Sequence, residues 1–222
     1  MIRAVLFDAV GTLIRLREPV GDTYARFAAV AGVHVPPGAL QSAFASALRS
    51  MPPMVFPACA GEALRAAERD WWRTVVRSTF DAAGVSGRGT DLEPIFTALF
   101  DHFAGGAAWQ CAAGALEVLT ALRARGLATG LVSNFDYRLP ALLGALQLAP
   151  LLDTIVLPAD AGASKPDVRI FALALSRLGV GAENALYVGD DAEHDVAGAT
   201  RAGLRAVDVA TLANLRALLT MV

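Results

Sequence analysis

Charge is scarce in this sequence, and so are the features that usually announce a location or a partner. Only 18% of the 222 residues are charged against 55% hydrophobic, with a mean hydropathy of +0.48. That much apolar surface offsets chain entropy, which excludes a disordered protein. Net charge is −2 and no block of lysine and arginine occurs, so no nucleic-acid partner is expected. Long apolar runs are missing too. The longest uncharged stretch, residues 27–48, contains His34, Pro36, Pro37, Gln41, Ser42 and Ser46, so neither a bilayer span nor a membrane partner is expected. The first apolar stretch is cut by Asp8, too soon for a secretory leader. The two cysteines, Cys59 and Cys111, have neither metal spacing nor a disulfide framework. A cytoplasmic chain with both thiols reduced and buried is expected.

What is present is an alternation of short apolar strands and helical patterns. Ala4, Val5, Leu6 and Phe7 form the first strand; residues 127–133, 154–157, 185–188 and, more weakly, 205–209 form four more. Helical patterns cover residues 115–125, 138–148, 167–178 and 195–202. Strands spaced in this way predict βαβ units, hence an α/β fold with a Rossmann-like parallel sheet of five strands covered on both faces. Residues 16–108 interrupt the alternation. They read as helices only, with apolar stripes at Tyr24, Phe27, Ala28 and Ala31 and at Trp71, Trp72, Val75 and Val76, and with Pro36-Pro37, Pro52-Pro53, Pro57 and the Gly/Ser-rich residues 84–90 as punctuation. The segment is too long for a loop. It predicts an all-helical domain inserted between residues 1–15 and 109–222 of the core, with Trp71 and Trp72 packed inside it.

In open parallel sheets, ligands bind beyond the carboxyl ends of the strands. Asp8, Gly11 and Thr12 follow the first strand, and Ser133 and Asn134 follow the second. Ser164, Lys165 and Pro166 follow the third, and Gly189, Asp190 and Asp191 the fourth, with Asp195 a turn further on. Each has a bland reading. Asp8 and Ser133-Asn134 serve as helix caps elsewhere, Lys165 as a solvated loop residue, and Asp190-Asp191 as a turn. Together they read differently, because converging carboxylates repel unless a cation lies between them. An oxygen-only, carboxylate-rich set favours Mg²⁺, and a hydroxyl, backbone amides and one ammonium suit a phosphoryl group.

Four motifs carry a resemblance across essentially the whole chain. FDAVGTL (residues 7–13), LVSNFD (131–136), SKPD (164–167) and VGDDAEHD (188–195) resemble, in order, those of the haloacid dehalogenase superfamily. The inserted helical segment looks like a C1-type cap. The details WQ at Trp109-Gln110, SNFDYRL (133–139) and KPDVRIF (165–171) are similar to its branch of haloacid dehalogenase-like hydrolase domain-containing proteins. The resemblance implies that Asp8 is the nucleophile and forms an aspartyl-phosphate. Thr12, Ser133, Asn134 and Lys165 would bind the phosphoryl group. Asp8, the Val10 carbonyl, Asp190 and Asp191 would hold Mg²⁺, with Asp195 in support through water or by holding Lys165. In such proteins the cap chooses the substrate, here expected to be a small phosphorylated or otherwise anionic metabolite.

One departure from the pattern matters. Phosphatases of this superfamily carry aspartate two residues after the nucleophile as general acid and base, and here Val10 stands there. Loss of such an acid typically costs roughly 10²–10⁴ in rate. Three readings follow: a Mg²⁺-dependent phosphatase-type hydrolase weakened at that step, a 2-haloacid dehalogenase, and a non-catalytic binding or regulatory protein on the same scaffold. Carbon–halogen displacement needs no leaving-group proton, but it also has no use for the Gly189-Asp190-Asp191 motif. His34 and His102 fall in the inserted segment and His194 is expected to face solvent, while Arg15, Arg17 or Tyr24 are candidates to reach the substrate. A monomer or a homodimer is expected.

Overall fold

The computed structural model describes residues 1–85 and 90–222, so the centre of the expected break at residues 84–90 lies outside the described residues. The chain begins with β1 (Ala4–Phe7) and β2 (Ile14–Leu16), then runs through α1 (Val20–Val30), α2 (Pro37–Ser50), α3 (Gly61–Ala82) and α4 (Glu93–Ala104) to β3 (Trp109–Cys111). It continues as α5 (Ala115–Ala124), β4 (Ala128–Val132), α6 (Leu139–Ala145), β5 (Thr154–Val156), α7 (Pro158–Ala161), α8 (Val168–Leu178) and β6 (Ala185–Gly189). A π-helical turn (Ala192–Ala197), α9 (Gly198–Arg201) and β7 (Arg205–Asp208) follow, and two short 3-10 helices (Val209–Thr211 and Leu215–Thr220) come after them. Two compact units result: Met1–Arg15 with Met54–Pro57 and Gln110–Val222, and Leu16–Pro53 with Ala58–Trp109.

In the first unit five parallel strands lie in the order β5-β4-β1-β6-β7. β1 is the central strand, with Phe7 opposite Leu131 on one side and Val188 on the other. All four of its residues are fully buried, as a strand covered on both faces requires, and this accounts for its unbroken apolar run. Strand alternation puts Ala4, Leu6, Val132, Ala185 and Tyr187 on one face. There they pack with Ile170, Phe171, Ala174 and Leu175, the apolar stripe of α8. That helix starts where Asp167 accepts the Arg169 N–H at 2.9 Å and ends at Gly179 in the left-handed region. Away from the five strands, β2 and β3 form a separate two-stranded ribbon.

The second unit is helical. Tyr24 of α1 is its hub, 5.6 Å from the ring of Phe44, 5.9 Å from Phe80 and 6.4 Å from Phe103. Arg69 of α3 lays its guanidinium over Phe96 and Phe100 of α4 at 5.0 and 4.6 Å. Trp71 and Trp72 are half-buried rather than core residues, edge to face at 5.0 Å, with the Trp71 indole donating to Pro52 O at 2.9 Å. Cys59 and Cys111 form no disulfide and are also half-buried, not the enclosed small hydrophobes expected. Among the described residues no helix is long and apolar enough to cross a membrane.

Between β4 and α6 the chain is tied by a buried ion pair. Arg138, 7% exposed, donates to both oxygens of the fully buried Asp136, at 2.9 Å from Nε and 2.6 Å from the guanidinium terminus, and its own N–H adds a third bond at 2.9 Å. Replacing the guanidinium takes from the buried Asp136 carboxylate its ion-pair partner and two of its hydrogen bonds. Arg138→Met is therefore expected to lower unfolding free energy by about 3–5 kcal/mol, read as a shift of the urea midpoint at neutral pH.

Candidate active site

The order of the strands assembles the site. Because β1 lies between β4 and β6, the first residues beyond their carboxyl ends, Asp8, Ser133 and Asp190, become neighbours. Asp8 donates its N–H to Val188 O at 2.8 Å and Ser133 donates to Val156 O at 3.1 Å, so both are still fixed by the sheet. Asp8 is 6% exposed, Ser133 3%, Lys165 4% and Asp195 1%. Two glycines make room for this density. Gly11 turns the chain at φ +93°, and a Cβ there would lie 2.1 Å from Asp190 Oδ2. A Cβ on Gly189 would lie 2.4 Å from Cβ and Cγ of Asp195.

Lys165 is the only lysine in the chain, and its ammonium is at the centre of the cluster. Nζ donates to Asp8 Oδ1 at 2.6 Å, to Asp195 Oδ1 at 2.5 Å and to the Tyr187 hydroxyl at 3.2 Å. The Asn134 side chain grips the lysine's main chain from both sides: Oδ1 accepts Lys165 N–H at 2.7 Å and Nδ2 donates to Lys165 O at 2.9 Å. Asn134 therefore reaches the site by positioning the lysine. Asp195 is placed by the π-helical turn, whose wider pitch is common at functional sites. Its Oδ2 accepts the N–H groups of Asp190 and Asp191 at 3.2 and 3.1 Å.

Burial raises Asp8 from 3.8 to about 6; the Lys165 ammonium pulls the other way, and the Asp195 charge adds to the rise. At neutral pH it remains mostly a carboxylate. Burial alone would depress Lys165, but the charges and hydrogen bonds of Asp8 and Asp195 outweigh it, and its affinity for a proton rises. Asp190, exposed at the edge of the cluster, is also raised, by partial desolvation of its carboxylate and by the Asp195 charge beside it. Ligand oxygens of Asp8, Asp190 and Asp195 lie within 4.8 Å of one another, a hard-oxygen set that suits a small divalent cation. Both Asp195 oxygens are already engaged, which leaves Asp190 and the second Asp8 oxygen as the donors that fit best.

The remaining expected residues fall in different places. Asp191 is outside the carboxylate cluster: its Oδ1 accepts the N–H groups of Glu193 and His194 at 2.9 and 2.7 Å and lies 3.0 Å from His194 Nδ1, which holds Asp191 below the usual carboxylate range. Thr12 is 1% exposed, and its hydroxyl has no hydrogen-bond partner among the described residues. Val10 is 38% exposed and brings no titratable group. Tyr24 is locked in the aromatic centre of the helical unit, 2% exposed, and is not a free substrate-reaching group. His102 packs between Phe27 and Phe103, each 5.2 Å away, and burial lowers its proton affinity. Missing from the sequence reading were Tyr187 and the Asp136–Arg138 pair. Tyr187 carried a signal, a phenol in an otherwise apolar buried strand, which must find a polar partner.

The model of a hydrolase family, haloacid dehalogenase-like hydrolase, matches residues 2–203. The chain is 37% identical over 203 residues to human haloacid dehalogenase-like hydrolase domain-containing protein 3, covering 91% of this chain and 80% of that one. Over 91 residues, 40% of this chain and 36% of the relative, it is 42% identical to a phosphoserine phosphatase of Thermus thermophilus. The magnesium-bound structure of the HAD-hydrolase YfnB from Bacillus subtilis shares the fold, with a TM-score of 0.74 at 19% identity over 99% of this chain and 98% of that one.

The tight fit at the end of β6 can be tested directly. Gly189→Ala forces Asp195 away from its place and is expected to lower stability by about 1–3 kcal/mol, measured by urea unfolding.

Proposed function

The chain belongs to the haloacid dehalogenase-like hydrolase family, and from that premise we propose that it is a Mg²⁺-dependent, phosphatase-type hydrolase acting through an aspartyl-phosphate on a small phosphorylated metabolite. The observation that carries this reading is the buried Asp8 carboxylate, held at 2.6 Å by Lys165 and grouped with Asp190. Asp8 attacks phosphorus through one carboxylate oxygen and keeps the other for the cation; the new P–O bond forms as the bond to the leaving oxygen breaks. Water then hydrolyses the acyl phosphate and returns Asp8. Lys165 neutralises charge on the nucleophile and on the phosphoryl oxygens. Ser133 and the unsatisfied Thr12 hydroxyl suit the same oxygens. Mg²⁺, held by Asp8, Asp190 and the Val10 carbonyl, would supply the positive charge that lets a dianion approach a carboxylate. Asp191 belongs to this proposal only as the cap that orders the Asp190–Asp195 segment.

The proton for the leaving group is the weak point, since Val10 has none to give. Residues 16–108 are proposed as the cap that selects the substrate, with residues 1–15 and 109–222 as the catalytic core. A cytoplasmic setting accords with two cysteines that form no disulfide, and a monomer or homodimer without nucleic acid or membrane partners accords with the composition. The grouped carboxylates weigh against a 2-haloacid dehalogenase, which gains nothing from a cation site.

Phosphate release from phosphate esters and halide release from 2-haloacids, each with and without Mg²⁺, separate the readings: Mg²⁺-dependent phosphate release is expected, and halide release alone would overturn it. Asp190→Asn is expected to weaken Mg²⁺ binding by more than about tenfold in calorimetry, with the fold intact by circular dichroism. Aryl and acyl phosphates, which depart without a proton, should turn over far better than alkyl phosphates. Val10→Asp is expected to raise the alkyl-to-aryl rate ratio by up to about 10²–10⁴-fold, and an unchanged ratio in a stable, Mg²⁺-binding variant would mean that no acid is missing.

A further inference from the structure

An ammonium has three N–H bonds in fixed directions, and in Lys165 each has an acceptor: Asp8, Asp195 and Tyr187. Two of these acceptors are bound to one another, because the Tyr187 hydroxyl donates to Asp195 Oδ1 at 2.8 Å, the same oxygen that accepts from Lys165. Its alternative acceptor, Val132 O, lies at 3.3 Å. The phenol is itself rigid. It is fully buried, its ring stands edge-on to Phe171 at 5.1 Å, and β6 fixes its backbone opposite Leu6 of β1 and Ala206 of β7. Burial, with the Asp8 and Asp195 charges behind it, pushes the phenol well above the usual tyrosine range, so it acts only as a neutral acceptor and donor.

We propose that Tyr187 is a positioning residue: with Asp195 it fixes the rotation of the Lys165 ammonium, so that the third N–H is directed at the reactive carboxylate of Asp8. The ammonium turns about Cε–Nζ, and each acceptor aligned with one of its three N–H bonds deepens the well that holds that rotation. Without the phenolic oxygen, one N–H of a buried ammonium loses its acceptor, and only Asp8 and Asp195 hold the rotation of Lys165. The kinetic side of this inference rests on the reading of Asp8 as the phosphoryl acceptor; the structural side does not.

Tyr187→Phe keeps the ring against Phe171 and removes only the hydroxyl. With an aryl phosphate and Mg²⁺, kcat is expected to fall about tenfold while KM stays within about twofold, since the substrate's own contacts are intact. The second readout needs no turnover. As the only lysine, Lys165 is the single ε-amine that an acylating reagent can modify, and the Met1 α-amine, at the exposed end of the chain, serves as the internal reference. Mass spectrometry is expected to show acylation of Lys165 accelerating at least about fivefold in Tyr187→Phe. Val118→Ala, at a fully buried position of α5, is the control for lost stability alone and should alter neither kcat nor labelling. Wild-type kcat and labelling in Tyr187→Phe, or equal changes in Val118→Ala, would overturn the proposal. Should the wild type release no phosphate while labelling still rises in Tyr187→Phe, the phosphatase reading fails and the positioning role stands.

Discussion

A buried ammonium between two buried carboxylates is the interaction on which the α/β unit depends. Taking Lys165 out of water costs several kcal/mol that only close, well-directed partners return. Asp8 and Asp195 do so at 2.6 and 2.5 Å, leaving the trio one negative charge in excess. The surrounding structure serves this triad. β1 brings Asp8 to the middle of the sheet, glycine at 189 leaves space for Asp195, the π-helical turn aims it, and Asn134 clamps the lysine's backbone from the neighbouring strand end. Weakening any of these supports exposes an unpaired charge in the interior, so conformational precision and stability are coupled here.

Most of the α/β framework was legible in the sequence because parallel, doubly covered strands need continuous apolar runs. Residues 4–7, 154–157 and 185–188 met that description, and β1, β5 and β6 begin where it places them. The cluster residues Asp8, Lys165, Asp190 and Asp195 were legible for a related reason: polar groups stand immediately beyond apolar strands, where the sheet ends. Features that depend on side-chain reach or on single hydrogen bonds were not. β2 and β3 have three residues each and no periodicity to read, and the helix expected at 195–202 is instead a π-helical turn that starts earlier and leads into a short α9. Asp191, which the resemblance placed among the metal ligands, is outside the grouped carboxylates, and its Oδ1 accepts the N–H groups of Glu193 and His194.

Chemically the site is uneven. Asp8, the Lys165 counter-charge and the carboxylate of Asp190 converge, while the position two residues after Asp8 presents an exposed valine. The reaction proposed for such a site is one in which making the bond to phosphorus is well supported and releasing the departing oxygen is not. Selectivity would then arise from leaving-group basicity as much as from shape, and the protein would favour activated phosphates even where its substrate cavity admitted others.

The place of β1 in the sheet also has a bearing on how the chain acquires its structure. The first strand in sequence is the middle strand in space, and Ala4 must find Ala128 on one side and Ala185 on the other. Both pairings close very large loops, so they form late and slowly, whereas the intervening helices can assemble from nearby contacts. Until β6 has been synthesised and docked, β1 is an apolar strand with an unsatisfied edge, the kind of segment that chaperones hold and that aggregates when they do not. The geometry that makes Asp8 the centre of the site thus makes the same four-residue strand the kinetic vulnerability of the fold.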